Sequence, residues 1–163
     1  MSQLRTLRCE FEDCDFSGAA LFASQHRSSS FLGCTFPGAN LFGATFEACR
    51  MVGSNFEDAR LDSLVVVGGD WSYTRLRKQN LAGLDLEGVK LVGADLFACD
   101  LRGTNLRGAI MSEAHLGPAK LAKADLRDAD LHGVDLREAD LKEAKMTLDQ
   151  AVLFARCFGI RVE

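Results

Sequence analysis

Residues 91–110 read LVGADLFACDLRGTNLRGAI, and residues 121–141 read LAKADLRDADLHGVDLREADL. Leucine returns at every fifth position in both: Leu91, Leu96, Leu101 and Leu106, then Leu121, Leu126, Leu131, Leu136 and Leu141. Followed outward, the series runs without insertion or deletion from Phe11 to Met146, and His26 is the single step that is not a large apolar residue. A period of five matches neither the helical 3.6 nor the strand period of 2. It excludes an amphipathic helix and ordinary strands, and marks a repeat in which each unit forms one short side of a coil.

Two residues before each large residue stands a small one, such as Ala39, Ala94, Ala119, Cys34, Cys99 or Ser54. Between them lies a polar residue, such as Asp95, Asn105 or Asp125. In extended backbone, residues two apart point to the same side, so small and large residues face inward and the polar one outward. The remaining two residues turn the corner, where glycine takes positive φ without steric cost. Four such sides close a square, and residues twenty apart stack. Twenty-eight positions from Phe11 to Met146, four to a coil, make about seven coils. At a strand spacing of about 4.8 Å the rod is roughly 30–35 Å long. Phe16, Phe36 and Phe56 share one column, and Phe11, Phe31, Met51 and Trp71 another. The N-terminal half is therefore expected to have a phenylalanine core and the C-terminal half a leucine core. Leu64 to Tyr73, containing Val65-Val66-Val67-Gly68-Gly69, is the weakest stretch and predicts a bulge or bend.

The expected organisation is an N-terminal cap segment over 1–8, the repeat over 9–146, and a helix with tail over 147–163. Thr147 and Gln150 have capping-box spacing. Leu148, Ala151, Val152, Ala155 and Phe158 follow with helical spacing, and Gly159 suits the C-terminal stop. Phe154 and Leu153 lie off that stripe, which makes the helix too apolar for a lid alone. We therefore expect it to cap the rod and to form a homodimer contact through Leu148, Val152, Phe154, Ala155, Phe158 and Ile160.

The 163-residue chain has a formal net charge of −4. It contains no signal-peptide segment and no apolar run near the ~20 residues of a membrane span, which predicts a cytoplasmic protein without membrane attachment. The cysteines mostly occupy inward small slots and are expected to be reduced fillers; Cys14 and Cys34 are stacked neighbours, and Cys157 stands alone in the helix. No metal or cofactor motif is present, and no phosphate loop or nucleophile elbow, so no enzyme activity and no catalytic residue are expected. His115 and His132 occupy outward slots. His26 is expected to be buried and hydrogen-bonded to a nearby serine such as Ser28. A narrow filled coil leaves no room for a ligand pocket, so function is placed on the outer walls.

The pattern Ala-(Asp/Asn)-Leu-X-X resembles the pentapeptide-repeat family. Within it, Cys14-Asp15-Phe16-Ser17-Gly18, Ser24-Gln25-His26-Arg27 and Cys34-Thr35-Phe36 resemble the MfpA/Qnr fluoroquinolone-resistance group. So does the terminal run from Asp149-Gln150-Ala151-Val152 through Phe154-Ala155 to Gly159. The resemblance implies an all-β solenoid, a right-handed quadrilateral β-helix with a C-terminal α-helix cap. It also implies a head-to-head dimer that resembles duplex DNA, binds DNA gyrase in place of DNA, and lessens fluoroquinolone action without binding nucleic acid itself. The unbroken frame leaves no room for the projecting loops of Qnr proteins, which places the chain nearer the loop-free type. Duplex DNA carries one charge per ~1.7 Å, on the order of 20 over such a rod, so with −4 in total any mimicry must be local. The candidate partner-facing acids are Asp85, Glu87, Asp125 and Asp128 on one side, with Asp95 and Asp135 on another. Asp100 and Asp140 line a third side, and Phe22 and Phe42 make an exposed apolar ladder. The alternative reading is a structural scaffold with another protein partner.

Overall fold

A computed structural model describes residues 4–162; Met1–Gln3, within the expected cap segment, and Glu163 lie outside the described residues. The chain winds into a β-solenoid with one C-terminal helix. Its strands are three residues long: β1 (Arg5–Leu7), β2 (Glu10–Glu12), β3 (Gln25–Arg27), β4 (Ser30–Leu32), β5 (Thr45–Glu47) and β6 (Val65–Val67). They form two parallel sheets, ordered β1-β3-β5-β6 and β2-β4. The register is twenty in every pairing, as in Phe11↔Phe31, His26↔Phe46 and Phe46↔Val66. Beyond the strands, single bridges keep that step, from Asp15↔Thr35 to Asp125↔Lys145. The step is four five-residue sides, and as a multiple of the five-residue period it brings large residues over large ones.

β1 carries the register into residues 5–7, where Thr6 pairs with His26 and is nearly buried. The five-residue series therefore begins at Thr6, inside the segment read from sequence as lying outside the frame.

The interior is continuous and filled. Phe31, Phe36, Phe46, Phe56, Leu96, Leu101, Leu106 and Leu121 are among its fully buried side chains. Ring centroids stand 5.0 Å apart for Phe16–Phe36 and 4.7 Å for Phe36–Phe56, with planes within 7°. Such spacing lies in the favourable range for offset stacking.

The corner residue has positive φ at nearly every side, Pro118 and Glu138 excepted, but glycine is not required there. Ala23, Asp58, Lys78 and Glu143 occupy it at φ 51–59°. This left-handed region is open to L-residues at modest cost. Gly69 is different. It has φ 96°, and a Cβ there would lie 2.3 Å from the Cys49 carbonyl oxygen.

The outward Asp or Asn also has a structural task. Its Oδ1 accepts the backbone N–H two residues on, as in Asp15 to Ser17 (2.8 Å), Asn55 to Glu57 (2.9 Å) and Asp130 to His132 (3.0 Å). These Asx turns hold the corner and account for the residue type.

Helix α1 (Leu148–Cys157) begins with a complete capping box. The Gln150 N–H donates to Thr147 Oγ1 and the Thr147 N–H to Gln150 Oε1. It ends in a Schellman arrangement, in which Gly159 N–H donates to Arg156 and Ile160 N–H to Ala155. Gln150 Nε2 also donates to the Leu126 carbonyl (2.7 Å) and the Ala129 carbonyl (2.9 Å). The helix thus satisfies carbonyls at the end of the solenoid. Among the described residues no helix is long and apolar enough to cross a membrane.

Candidate functional site

With the interior filled, the outer walls carry whatever the chain binds. Asp85, Asn105 and Asp125 pair in succession on one wall, which places these residues in one column. Their electrostatics differ sharply. Arg127 Nε donates to Asp125 Oδ1 at 2.8 Å, and that hydrogen bond holds the carboxyl at about 2. Arg107 lies 3.3 Å from Asp128. On the opposite wall, Asp95 pairs with Arg77 at 3.0 Å, and Asp135 with Arg137 at 2.6 Å, its pKa held at about 2 chiefly by that contact. Asp95 bridges to Arg75 and His115, while no bridge continues to Asp135. On the remaining acidic column Asp100 and Asp140 alternate with Lys120, and Asp100 pairs with Arg102.

Only Asp85 and Glu87, of the six candidate acids, face a neutral partner. Asn105 Nδ2 donates to Asp85 Oδ1 (2.9 Å) and to Glu87 Oε2 (3.1 Å). The exposed negative feature is therefore a pair rather than a stripe. The signal for this was legible in Asp100-Leu-Arg102, Asp125-Leu-Arg127 and Asp135-Leu-Arg137, since residues two apart in extended backbone meet on one side. Sequence reasoning also passed over Glu10, Glu12 and Asp13, which are exposed together on the first coil.

His26 is 2% exposed. Its Nδ1 lies 2.8 Å from Thr6 Oγ1 and its Nε2 2.9 Å from Ser24 Oγ. Ser28, the serine expected from sequence, turns the corner with φ 48° and is not the partner. The ring stacks on Phe46 at 4.6 Å, so His26 continues the aromatic column. Burial pushes its pKa from 6.5 down to about 4. The unfolded chain takes up a proton below pH 6.5 that the folded chain refuses. Stability should therefore fall as pH drops from 6.5 to about 4, by roughly 3 kcal/mol in all. Denaturation midpoints measured across that range should show this slope in the native protein and not in His26→Phe; equal slopes would refute it.

The cysteines are unpaired, and burial pushes the Cys99 thiol up to about 12, away from nucleophilic use. At the C-terminal end, Leu148, Phe158 and Ile160 are exposed, at 80%, 52% and 55%. Val152, Phe154 and Ala155 are half-buried; Phe154 packs against the core and meets Phe158 edge-on at 5.0 Å. The six expected contact residues thus divide into three exposed and three half-buried, with Phe158 and Ile160 beyond the end of α1.

The chain matches the pentapeptide repeats family over residues 27–65, 67–96, 99–137 and 109–147. It is 42% identical over 86 residues to the pentapeptide repeat protein MfpA of Mycobacterium tuberculosis, which is 53% of this chain and 47% of that protein. The matched stretch therefore spans about half the length of that relative. The MfpA of Mycolicibacterium smegmatis is 50% identical over 36 residues, covering 22% of this chain and 19% of that one. Among solved structures, HetL from Nostoc sp. strain PCC 7120, involved in heterocyst differentiation regulation, superposes with a TM-score of 0.82 and 31% identity. That match covers 90% of this chain and 67% of HetL. QnrB1 (M102R, trypsin-treated), a plasmid-mediated fluoroquinolone resistance protein, shares the fold with a TM-score of 0.53 and 23% identity, over 100% of this chain and 94% of that one.

Proposed function

Because the chain belongs to the pentapeptide-repeat family and is related to MfpA, we propose that it is a quinolone-resistance-type protein that binds DNA gyrase. In this reading it acts by occupying a surface and not by catalysis, and the matched family is a structural repeat. The rod is a right-handed quadrilateral β-helix of about seven coils over 9–146, with 1–8 at its N-terminal end and 147–163 as cap and dimer contact. Pairing at a constant step of twenty, from Arg5↔Gln25 to Asp125↔Lys145, supports it. The protein works in the cytoplasm and binds no nucleic acid.

The observation that carries the gyrase reading is the Asp85–Glu87 pair. It presents two carboxylates without a cationic partner on an otherwise ion-paired wall. A basic surface built for DNA phosphates attracts such a pair. The test is gyrase supercoiling, with and without ciprofloxacin, titrated with this protein. Inhibition or drug relief at micromolar concentration supports the proposal, and no effect at tens of micromolar rejects it. A second reading, a scaffold with another partner, is favoured by one observation: arginines neutralise Asp95, Asp125, Asp128 and Asp135.

The exposed Leu148, Phe158 and Ile160 support a homodimer through α1, since apolar groups gathered at one end are costly to leave in water. Leu148→Glu with Phe158→Glu should convert a dimer to a monomer by size-exclusion chromatography with light scattering. A native protein that runs as a monomer at tens of micromolar would refute the dimer.

A further inference from the structure

The inward small slot admits little volume: Ala44, Ala94, Ala119 and Ala124 fill it with no exposure. Midway along the rod it holds Leu64, Gln79 and Leu84 instead. Leu64 and Leu84 are twenty apart, so they share one column with Ala44 below and Thr104 above. Two leucines stacked in a slot sized for alanine push their coils apart.

The ladder records the effect. Among the described residues, no backbone hydrogen bond joins 58–68 to 77–88, the two sides on which Arg60 would pair with Asn80 and Val65 with Asp85. The other two sides are intact. Phe56 N–H donates to the Arg75 carbonyl (2.9 Å), and Trp71 N–H to the Lys90 carbonyl (2.8 Å). The coils are therefore joined around one corner and parted around the opposite one. At the boundaries stand Gly68 and Gly69 (φ 60° and 96°) and Gln79, whose Nε2 donates to the Phe56 carbonyl at 2.8 Å. Inside the parted corner lies an apolar cavity of about 20 Å³, lined by Leu64, Trp71, Leu81, Leu84 and Leu86 among others. The Trp71 indole N–H, in a residue only 3% exposed, has no acceptor there. The core on either side also differs: phenylalanine rings stack up to Phe56 and Trp71, and leucines follow.

We propose that this seam is a hinge, at which the two halves of the rod tilt about the intact corner and open and close the gap between Leu64 and Leu84. The joined sides act as the pivot, and the parted sides lose no backbone hydrogen bond when they move, because among the described residues they make none. A rod that bends at its middle can follow a curved surface that a straight one cannot. The inference stands independently of which partner the protein binds.

Trp71 is the sole tryptophan and lines the gap, so its fluorescence reports opening directly. Acrylamide should quench it at least about threefold more strongly in the native protein than in Leu64→Ala with Leu84→Ala, which restores the small slots. The amides of Leu61, Val66, Asn80 and Asp85 should exchange at least about 100-fold faster than those of Leu41, Asp100 and Asn105, their bonded counterparts on neighbouring coils. Phe56 and Trp71 amides, at the pivot, should stay protected. Should the alanine pair fail to fold, an oxidised Arg60→Cys, Asn80→Cys pair closes the same gap from outside, since neighbouring strands at about 4.8 Å lie within disulfide reach. Quenching that is equal in the native and closed forms would overturn the hinge. So would protection of the four seam amides to the level of their counterparts.

Discussion

Replacing Phe36 by alanine should destabilise the protein by about 3–5 kcal/mol, the range for deleting a buried phenyl ring. Phe36 has no exposed surface. Its ring stacks on Phe16 on one side and on Phe56 on the other. In a solenoid each coil touches only its neighbours, so stability is close to a sum of interface contributions. Removing this ring weakens two of them at once, and the surrounding backbone ladder resists collapse into the void. Phe16→Ala should cost clearly less, because Phe16 is only half-buried and has a stacked ring on one side alone. Thermal unfolding checks both: at ~2–4 °C per kcal/mol for a chain of this size, Phe36→Ala should melt roughly 6–20 °C below the native protein. A loss of under about 1 kcal/mol would mean that the aromatic column does not hold the coils together.

Reversing the charge of Asp85 and Glu87 together to lysine should weaken gyrase inhibition at least about tenfold, or 1.4 kcal/mol. These two carboxylates meet the Asn105 amide and, at Asp85, the Glu87 backbone N–H, but no cation, so their charge is available to a partner. Lysines there would face a phosphate-seeking basic surface with like charge, which costs affinity and slows encounter. The difference should shrink as salt rises, because exposed charges are screened within about 8–10 Å at physiological ionic strength. Asp135→Asn is the matched control. Its carboxylate already belongs to Arg137, so inhibition should stay within about twofold. Unchanged inhibition by the double variant would remove Asp85 and Glu87 from the contact.

These two expectations rest on different degrees of legibility. The phenylalanine column could be read directly, because Phe16, Phe36 and Phe56 are twenty apart and four five-residue sides to a coil set them over one another. The helix start at Thr147 and Gln150 was equally plain, since a capping box is local. The acid stripe was not. Arg107 and Arg127 interrupt the stripe in the sequence, but only the structure pairs Arg127 with Asp125 and Arg107, from the coil before, with Asp128. His26 was read correctly as buried, but its partners were misplaced: Ser24 flanks it on the inward face, and Thr6 lies one coil away in a stretch read as outside the repeat.

By itself the sequence determined the winding step, the composition of the core and the helix that closes the chain. Each follows from side-chain spacing along one strand or one helical turn, and such spacing survives without knowing what lies above it. The tertiary structure alone decided which side chains meet from coil to coil, such as Asn105 with Asp85 and Glu87 or Arg107 with Asp128, and where the ladder parts. Both depend on neighbours about twenty residues away, whose side chains meet or compete for one slot only after the coils have stacked.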